Sequence, residues 1–352
     1  MWIPPLRDNF KRLVGWKYHP FRKVADVQTF LARRDGEVVG RIAGIVYHEH
    51  NRHYKERRGF FGFFECINDK AVAAALFDTV RSWLAERDIR ALRGPMNPSV
   101  NYEIGLLIEG FDDHPTFMMT YNPPYYAELI ESYGFVKAHD LFAYIGTRQD
   151  LDHQLSRVQP LMQRVNEIFN VKTRGLDRSR FLEDVATFLH IYNVSSLHIW
   201  GFVPITQAEM EWMAKDMKHL IIPELTCLAE VDGKAIGAVF GMPDYNPRIK
   251  EIDGRLFPFG FLKLLSKKHN IKRVRLISTN VVPEFQKWGI GIVLLVSLIP
   301  KGLDMGMAEA EFSWVSEANV LARGSLEKGG ARLSKKYRIY DYAPTESAAK
   351  ME

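Results

Sequence analysis

The sequence predicts an α/β (α+β) protein built from two tandem modules. Segments with strand-like and helix-like patterning follow one another in the same order in both halves of the chain, as hairpin, strand, helix, strand, helix and strand. Two short motifs also recur at nearly the same spacing. Asp35-Gly36-x-x-x-Gly40 corresponds to Asp232-Gly233-x-x-x-Gly237, and Leu129-Ile-Glu131-x-x-Gly134 corresponds to Ser325-Leu-Glu327-x-x-Gly330. We therefore predict modules at residues 1–148 and 149–345, followed by a flexible tail at 346–352.

The first module begins with an aromatic and basic arm, residues 1–28, which packs on a domain or on a substrate, and packing on a domain is the better interpretation. Its hairpin turns at Asp35-Gly36, since a turn dipeptide between two apolar runs is the usual hairpin signal. Asp69 is placed to cap the next helix and Gly134 to end the last one. The predicted elements are strands at Thr29–Arg33, Val38–Tyr47, Gly59–Ile67, Ala91–Arg93 and Phe135–Ile145, and helices at Lys70–Arg87 and Pro124–Tyr133.

The second module is predicted to open with a long helix and to repeat the same order. Thr206 and Glu209 form a capping box at the start of one helix, and Asp232-Gly233 joins a second hairpin. Residues 243–262 are rich in Pro, Gly and Phe and read as irregular, either as a flap over an apolar part of a ligand or as ordinary loop packing. The predicted elements are helices at Leu151–Ile168, Arg178–Tyr192, Thr206–Leu220 and from Asn319, and strands at Val171–Arg174, Leu225–Val231, Lys234–Phe240, Val274–Val282, Ala308–Val315 and Lys336–Tyr342.

Composition sets limits on location and partners. The 352 residues carry 47 Lys and Arg against 42 Asp and Glu, a net charge of +5 that fits an anionic small ligand, a membrane surface or nucleic acid without choosing among them. Cys66 and Cys227 lie in apolar runs, which favours buried reduced thiols. No signal-peptide pattern opens the chain, and the apolar run Gly289–Pro300 is too short to cross a bilayer. We expect a cytoplasmic protein, with a peripheral membrane contact left open and the oligomeric state undetermined.

Three histidines within six residues, His48, His50 and His53, invite a metal site. No cysteine is near and no helical pair of ligands lines up, so a solvated polar loop at 48–58 is the better interpretation. We therefore predict no metal.

The stretch Gln286-x-x-Gly289-x-Gly291 carries the clearest chemical signal. A β-branched apolar run precedes it and an apolar helical segment follows it, which predicts a strand, a tight turn and a helix. Glycines leave the backbone uncovered, so that N–H groups at the helix start can bind an anion, and Lys287 adds a positive charge. The corresponding Glu65–Lys70 segment of the first half has no glycine. The sequence therefore predicts one phosphate-binding turn per chain.

These residues resemble the signature of the GCN5-related N-acetyltransferase (acyl-CoA N-acyltransferase) superfamily, Arg/Gln-x-x-Gly-x-Gly/Ala after its fourth strand. Val281-x-Pro283 is similar to the Val-x-Pro of the family. Asn319, Ala322, Glu327 and Gly330 match its Asn-x-x-Ala-x-x-Leu-Tyr-Glu-x-x-Gly-Phe pattern. The resemblance covers about residues 171–342, and the first half resembles a degenerate copy, as in two-module bacterial members. It implies that each module is a mixed, mostly antiparallel sheet flanked by helices.

The resemblance also implies the ligand, acetyl-CoA or a longer acyl-CoA acting as co-substrate. Backbone amides at the turn would bind the pyrophosphate, the pantetheine would lie along the strand end where two parallel strands splay apart, and Asn319 would reach the pantetheine or the thiol. The implied cofactor-binding residues are Asn280, Val281, Val282, Gln286, Lys287, Trp288, Gly289, Ile290, Gly291, Ile292 and Asn319.

The implied reaction is attack of a primary amine on a thioester. Such a reaction needs a base for the amine, a donor for the oxyanion, here a backbone N–H near Val281, and an acid for the thiolate. Glu309 and Glu311 on one face of the predicted strand, and Glu317 at its end, are candidate bases, although each glutamate alone is more often the partner of a Lys or Arg. Leu326 stands where the family usually has the tyrosine that acts as this acid. Tyr337 or Tyr340 on the next strand is the candidate substitute, unless the reaction needs no acid.

Three functions fit these residues. The first is an N-acyltransferase that moves an acetyl or longer acyl group to an unidentified small-molecule or lipid-like amine. The missing tyrosine suggests the second, a non-catalytic acyl-CoA sensor or scaffold. The third is an aminoacyl or peptidyl transferase using charged tRNA; the intact Gln286-x-x-Gly289-x-Gly291 motif argues against it and disfavours nucleic acid as a partner.

Overall fold

The structure is a computed structural model that describes residues 1–266 and 268–343, with the side chains of residues 151–157 and 269 not described. The chain divides into two compact units. Unit 1 comprises Met1–Leu141, Asp253–Arg255 and the chain from Lys335 onward, and unit 2 comprises Phe142–Ile252 and Leu256–Ser334. The predicted module boundary at 148/149 remains a prediction, and the predicted tail at 346–352 lies outside the described residues.

Unit 1 contains a mixed sheet with one helix pair packed on its apolar side. Its helices are α1 (Arg7–Leu13), α2 (His48–Tyr54), α3 (Lys70–Ala85) and α4 (Tyr126–Ser132). Its strands are β1 (Ala25–Arg34), β2 (Glu37–Tyr47), β3 (Arg58–Cys66), β4 (Ala91–Gly94), β5 (Met96–Asn97), β6 (Glu103–Ile104), β7 (Leu106–Glu109), the first part of β8 (Val136–Thr147) and, from the end of the chain, most of the last strand, Arg332–Tyr342.

The order of strands in unit 1 is β1-β2-β3-β4 followed by that last strand. All neighbours run antiparallel except β3 and β4, which pair in parallel from Arg58/Ala91 to Phe60/Arg93. The core lies between this sheet and helices α3 and α4, where Phe61, Phe77 and Ile130 are fully buried. Asp69 caps α3 by accepting from the Ala71 and Val72 N–H groups, as predicted.

Unit 2 repeats this arrangement with additional helices. Its helices are α5 (Arg148–Phe169), α6 (Phe181–Ser196), α7 (Gln207–Met217), α8 (Asn246–Glu251), α9 (Gly260–Leu265), α10 (Ile290–Asp304) and α11 (Val320–Lys328). Its strands are the second part of β8, then β9 (Lys172–Gly175), β10 (Thr226–Val231), β11 (Lys234–Pro243), β12 (Arg273–Val281), β13 (Glu309–Ser316) and the start of the last strand, which is β14 (Arg332–Tyr342).

The order β9-β10-β11-β12-β13 is antiparallel throughout except for the parallel pair β12 and β13. Both units are therefore mixed, mostly antiparallel sheets with helices, which confirms the predicted fold class. The capping box of Thr206 and Glu209 is present at the start of α7. Gly134 has a positive φ and directly follows Tyr133, the C-cap residue of α4, as expected of a glycine that ends a helix.

Two local predictions were wrong. The polar segment 48–58 is not a solvated loop, because residues His48–Tyr54 form helix α2 and His50 is buried against Phe60, with its Nε2 2.7 Å from Glu56 Oε1. Polar composition hid this helix, since its stability comes from one buried imidazole and not from an apolar stripe. Residues 243–262 are also less irregular than predicted, because α8 and the start of α9 fall within them.

A buried histidine makes unit 1 sensitive to acid. His19 is 2% exposed and its Nδ1 accepts from the N–H of Phe21. Burial, with a smaller contribution from Arg12, lowers its pKa from 6.5 to about 4. The folded state thus disfavours the protonated ring, and its stability is lost as the pH falls from 6.5 towards 4. Through this residue we expect unfolding free energy to drop by roughly 2–3 kcal/mol over that interval.

The variant His19→Asn tests this expectation, because asparagine keeps a side-chain acceptor for the Phe21 N–H but does not titrate. Urea unfolding at a series of pH values should show a smaller acid loss for His19→Asn than for the wild type. The exposed His219→Asn serves as control and should follow the wild type. Equal acid losses in all three proteins would contradict the assignment.

Both cysteines are free and buried, in agreement with the predicted reduced thiols. Among the described residues, no helix has both the length and the apolar character needed to cross a membrane.

Candidate functional site

The parallel strands β12 and β13 diverge and form a fork. Their ladder has four residue pairs, from Arg273/Glu309 to Leu276/Phe312, and ends there. At the same point β12 carries a bulge, because its register with β11 shifts between Phe240/Ser278 and Gly241/Leu276. A bulge bends a strand and increases its twist. The backbone of β12 beyond Leu276 therefore runs to Val281 paired with β11 on one side and without a β13 ladder on the other.

The fork leads into the predicted glycine turn. After β12 the chain makes a 3₁₀ turn, Pro283–Trp288, and Gly289 then adopts a left-handed conformation with φ 85°. Helix α10 begins at Ile290 with no side-chain cap at its N-terminus. The first N–H groups of an α-helix have no intrahelical acceptor, and the helix dipole makes this end attractive to anions. A Cβ at Gly291 would meet only Thr279 and Val281, at ordinary contact distances.

Gln286 holds the turn in place. Its Nε2 donates to the carbonyl oxygen of Val281 at 3.0 Å and to that of Ser195 at 3.3 Å. One side chain thus ties the turn to the end of β12 and to the end of α6. This explains the requirement for a long side chain with a donor at this position of the motif.

Aromatic rings attach the same turn to α5. Phe169 lies between Phe285 and Trp288, with ring centroids 5.4 and 5.3 Å apart. The Trp288 ring is still half exposed, and the Lys287 side chain is exposed beside it. A Cβ at Gly289 would approach Leu161 of α5 to 3.3 Å. The predicted cofactor residues from Asn280 to Ile292 are therefore brought together as one strand end, turn and helix start.

Unit 1 has the equivalent fork, and its own chain fills it. After the parallel pairs of β3 and β4, the chain turns through Met96-Asn97 and lies against β3. The Phe63 N–H donates to Asn97 Oδ1 at 2.7 Å, and a Cβ at Gly62 would collide with the Met96 carbonyl oxygen at 1.8 Å. No glycine turn follows β3, because α3 begins directly after the Asp69 cap. This supports the prediction of a single anion-binding turn.

A row of polar side chains lines the α6 face of the unit 2 sheet. Asn280 Nδ2 donates to the hydroxyls of Ser195 and Ser196, at 2.9 and 3.3 Å. Within the described residues, the buried Asn280 Oδ1, Ser278 Oγ and Thr226 Oγ1 have no hydrogen-bond partner. Buried polar atoms of this kind call for a partner, such as a ligand or an ordered water.

Glu311, a predicted base, is fully buried within a polar cluster. The Ser313 hydroxyl donates to Glu311 Oε1 at 2.8 Å, and Arg275 Nε, on the neighbouring strand, donates to Ser313 Oγ at 2.9 Å. Arg275 is 2% exposed and also lies over the Trp314 ring, 4.8 Å from its centroid. Ser313 thus links the buried Arg275 side chain to the buried Glu311 carboxylate, and the two residues are opposite each other in the β12/β13 ladder, which gives Glu311 a structural role beside any catalytic one.

The other predicted residues are spread over both units. Glu317 is half-buried beyond the end of β13, and its carbonyl oxygen accepts from Arg323 at 3.2 Å. Asn319 caps α11 by accepting from the Ala322 N–H at 3.0 Å. Tyr337 is buried and belongs to unit 1, opposite Leu107. The roles predicted for these three residues remain predictions.

Tyr144 is a candidate that the sequence patterns did not single out. It lies on β8 and packs in the same cluster as Leu326, which stands at the position of the missing tyrosine. Its hydroxyl donates to Glu327 Oε1 at 2.8 Å, and burial raises its pKa, so that the hydroxyl stays protonated at neutral pH. No sequence spacing identifies Tyr144 as a candidate, because its proximity to Leu326 exists only in the folded structure.

Among the described residues, no group of three or more His, Cys, Asp and Glu side chains has an arrangement that could hold a metal ion.

Comparison with solved structures places the fold. A GCN5-related N-acetyltransferase from Sphaerobacter thermophilus superposes with a TM-score of 0.50 at 14% identity, covering 90% of this chain and 80% of that one. A tandem protein of the same fold from the clavulanic acid biosynthesis pathway superposes with a TM-score of 0.51 at 10% identity, covering 92% and 85%. These likenesses confirm the tandem acyltransferase fold.

Comparison with curated proteins places the family. No protein-family profile matches the chain. Protein YghO of Escherichia coli K12 is 34% identical over 346 residues, which cover 97% of this chain and 88% of that protein. The bacterial ceramide synthase of Caulobacter vibrioides is 35% identical over 349 residues, covering 97% and 90%. At this identity over nearly the whole chain, the protein belongs to the acyltransferase-fold family that includes Protein YghO and the bacterial ceramide synthase.

Proposed function

We propose that the protein transfers an acyl group from acyl-CoA to the primary amine of a long-chain, lipid-like amino alcohol. The observation that carries the proposal is the open fork of β12 and β13, which ends in the uncapped start of α10 at the glycine turn. An extended pantetheine arm fits the unpaired edge of a strand, because it can take the hydrogen bonds that a neighbouring strand would make. The pyrophosphate fits the helix start.

The relative from Caulobacter supports the class of acceptor. Its name describes a synthase of ceramide, which is an amide of a fatty acid with a long-chain amino alcohol. The polar row of Thr226, Ser278 and Asn280 offers unpartnered hydrogen-bonding groups for the amine or hydroxyl of such an acceptor. Flanking apolar side chains, Phe188 and Phe240, suit a hydrocarbon chain.

In the proposed reaction the amine nitrogen attacks the thioester carbonyl carbon. The C–N bond of the amide forms, the C–S bond breaks, one proton leaves the nitrogen, and free CoA departs as the thiol after protonation of its sulfur. We assign the base role first to Glu317, because its side chain is half-buried and not enclosed as that of Glu311 is. The oxyanion donor is proposed to be a backbone N–H near Val281.

The acid for the thiolate is proposed to be Tyr144. We expect Tyr144→Phe to lower kcat for CoA release by about tenfold or more while acyl-CoA affinity stays the same, since general acids contribute about 10²–10⁴-fold when they act in the rate-limiting step. Tyr337→Phe is the matched variant, because it removes the same hydroxyl from the other candidate. A loss of activity in Tyr337→Phe alone would overturn the assignment in favour of Tyr337.

A thiol-release assay tests the proposed function. Acetyl-, octanoyl- and palmitoyl-CoA are each offered with sphinganine, glucosamine and spermidine, and the products are identified by mass spectrometry. We expect CoA release and an N-acylated product with sphinganine, and a preference for the longer acyl chains. If an N-acylated product forms with glucosamine or spermidine but not with sphinganine, the proposed class of acceptor is refuted, while the proposed acyl transfer itself is supported.

A second candidate function is a non-catalytic acyl-CoA sensor, which Leu326 at the usual tyrosine position favours. Measurable acyl-CoA affinity by calorimetry, without CoA release with any of the three amines, would support the sensor and contradict the enzyme.

A further inference from the structure

Four large apolar side chains of one short segment are exposed to solvent. In residues 256–265, here called the Phe segment, Phe257 is 83% exposed, Phe259 70%, Leu262 56% and Phe261 40%. Single exposed apolar residues are normal in folded proteins, but a contiguous group of large ones marks an interaction surface. Neither the fork nor the glycine turn uses these side chains.

The backbone of the Phe segment has a defined conformation that holds these rings. The Phe261 N–H donates to the Leu256 carbonyl oxygen at 2.9 Å, and α9 follows. Leu264 anchors the segment, since it is 4% exposed and its carbonyl oxygen accepts from Arg248 at 3.0 Å. The fold therefore holds the segment by its backbone and by one buried leucine, while the aromatic side chains point outward.

The surroundings of the Phe segment are strongly basic. From Arg248 to Arg273 the sequence carries eight Lys and Arg against two Asp and Glu. The side chains of Lys250 and Lys263 are exposed, and Lys263 pairs with Glu251 at 2.9 Å. Aromatic rings prefer the headgroup level of a bilayer, and lysines near them are attracted to anionic lipids.

We propose that the Phe segment docks on the surface of a bilayer that contains anionic lipids. Phe257 and Phe259 would enter the headgroup and acyl boundary, and the lysines would remain at the headgroups. A symmetric contact with a second copy of the chain fits less well, because it would bring two strongly basic segments face to face. The proposal does not rest on the proposed function, since binding to vesicles requires no acyl-CoA, although it would give a lipid-like acceptor a short route to the protein.

Vesicle co-sedimentation of the full chain tests the proposal. Vesicles of phosphatidylcholine alone are compared with vesicles that also contain phosphatidylglycerol, at low and high salt. The test variant is Phe257→Ser/Phe259→Ser. The matched control is Val320→Ser/Leu321→Ser on α11, which removes two side chains that are 69% and 79% exposed. All four positions are exposed, so thermal unfolding should be unchanged in both variants.

We expect the wild type to bind the anionic vesicles, with weaker binding at high salt as charge screening requires. The Phe variant should bind at least about tenfold more weakly, from the apolar area that two rings no longer bury, while the α11 control should bind like the wild type. Equal binding of wild type and Phe variant would overturn the proposal. Vesicle binding that does not depend on lipid charge would also overturn it. A wild-type dimer that does not sediment with vesicles, and that dissociates in the Phe variant, would overturn it as well.

Discussion

Replacing Gly291 by glutamate should abolish acyl-CoA binding and leave the protein folded. The new Cβ meets Thr279 and Val281 only at 3.6 and 3.9 Å, and Thr279 is exposed, so the side chain has room. A carboxylate at the start of a helix is favourable for the helix, and glycine is a poor helix residue, so stability should be equal or slightly higher. The carboxylate would occupy the proposed pyrophosphate position and repel the phosphates. We expect a loss of about a hundredfold or more in affinity, measured by calorimetry with palmitoyl-CoA.

Gly324→Glu is the matched control for this variant. It introduces the same charge into a helix, at a glycine whose Cβ would meet no atom within 4 Å. Its acyl-CoA affinity should equal that of the wild type. If Gly291→Glu and Gly324→Glu both bind acyl-CoA with wild-type affinity, the phosphate site does not lie at the glycine turn. Gly289 is a poorer choice for this test, since its φ of 85° and its proximity to Leu161 would strain any side chain.

Replacing Arg275 by methionine should destabilise the protein by about 3–5 kcal/mol, because the change removes the buried cation that lies opposite the fully buried Glu311 and is linked to it through Ser313. Urea unfolding followed by circular dichroism measures the loss. The double variant Arg275→Met/Glu311→Leu should recover most of the stability, since it removes both charges together. A double variant as unstable as Arg275→Met alone would show that Glu311 is not the counter-ion.

The strand itself supplies the control for Arg275. Arg273 lies two residues earlier and pairs with Glu309 at 2.8 Å, but Glu309 is more than one-third exposed. Arg273→Met should therefore cost about 1 kcal/mol or less, as exposed pairs do. If Arg273→Met and Arg275→Met lower the free energy of unfolding by similar amounts, burial does not explain the effect of Arg275.

Local chemistry made much of the fold predictable. The Asp35-Gly36 and Asp232-Gly233 hairpins, the Asp69 cap and the Thr206 capping box all depend on residues within a few positions of one another. The glycine turn was predictable for the same reason, since strand, Gly289 and helix α10 are consecutive. Their recurrence in both halves then indicated two modules.

Features that depend on distant residues were not predictable. Helix α2 is stabilised by His50 against Phe60 and Glu56, and its polar sequence shows no apolar stripe. Glu311 is linked through Ser313 to Arg275 on the neighbouring strand β12. Its alternating position in the sequence therefore could not distinguish a buried structural carboxylate from a base that faces a cleft. Tyr144 and Leu326 are far apart in the sequence and come together only in one apolar cluster of unit 2. The filled fork of unit 1 also depends on a distant contact, because Met96-Asn97 returns to β3, and no sequence motif predicts this contact.

The path of β14 has a consequence for biosynthesis. Residues from Lys335 onward belong to unit 1 and pair with β4, from Tyr340/Gly94 to Tyr342/Leu92. A ribosome makes residues 1–141 of unit 1 first, but the sheet of this unit lacks β14 until residues 332–342 have been made. Domains usually fold in the order of their synthesis. Here the unit that is translated first is completed last, after the whole of unit 2 has been made.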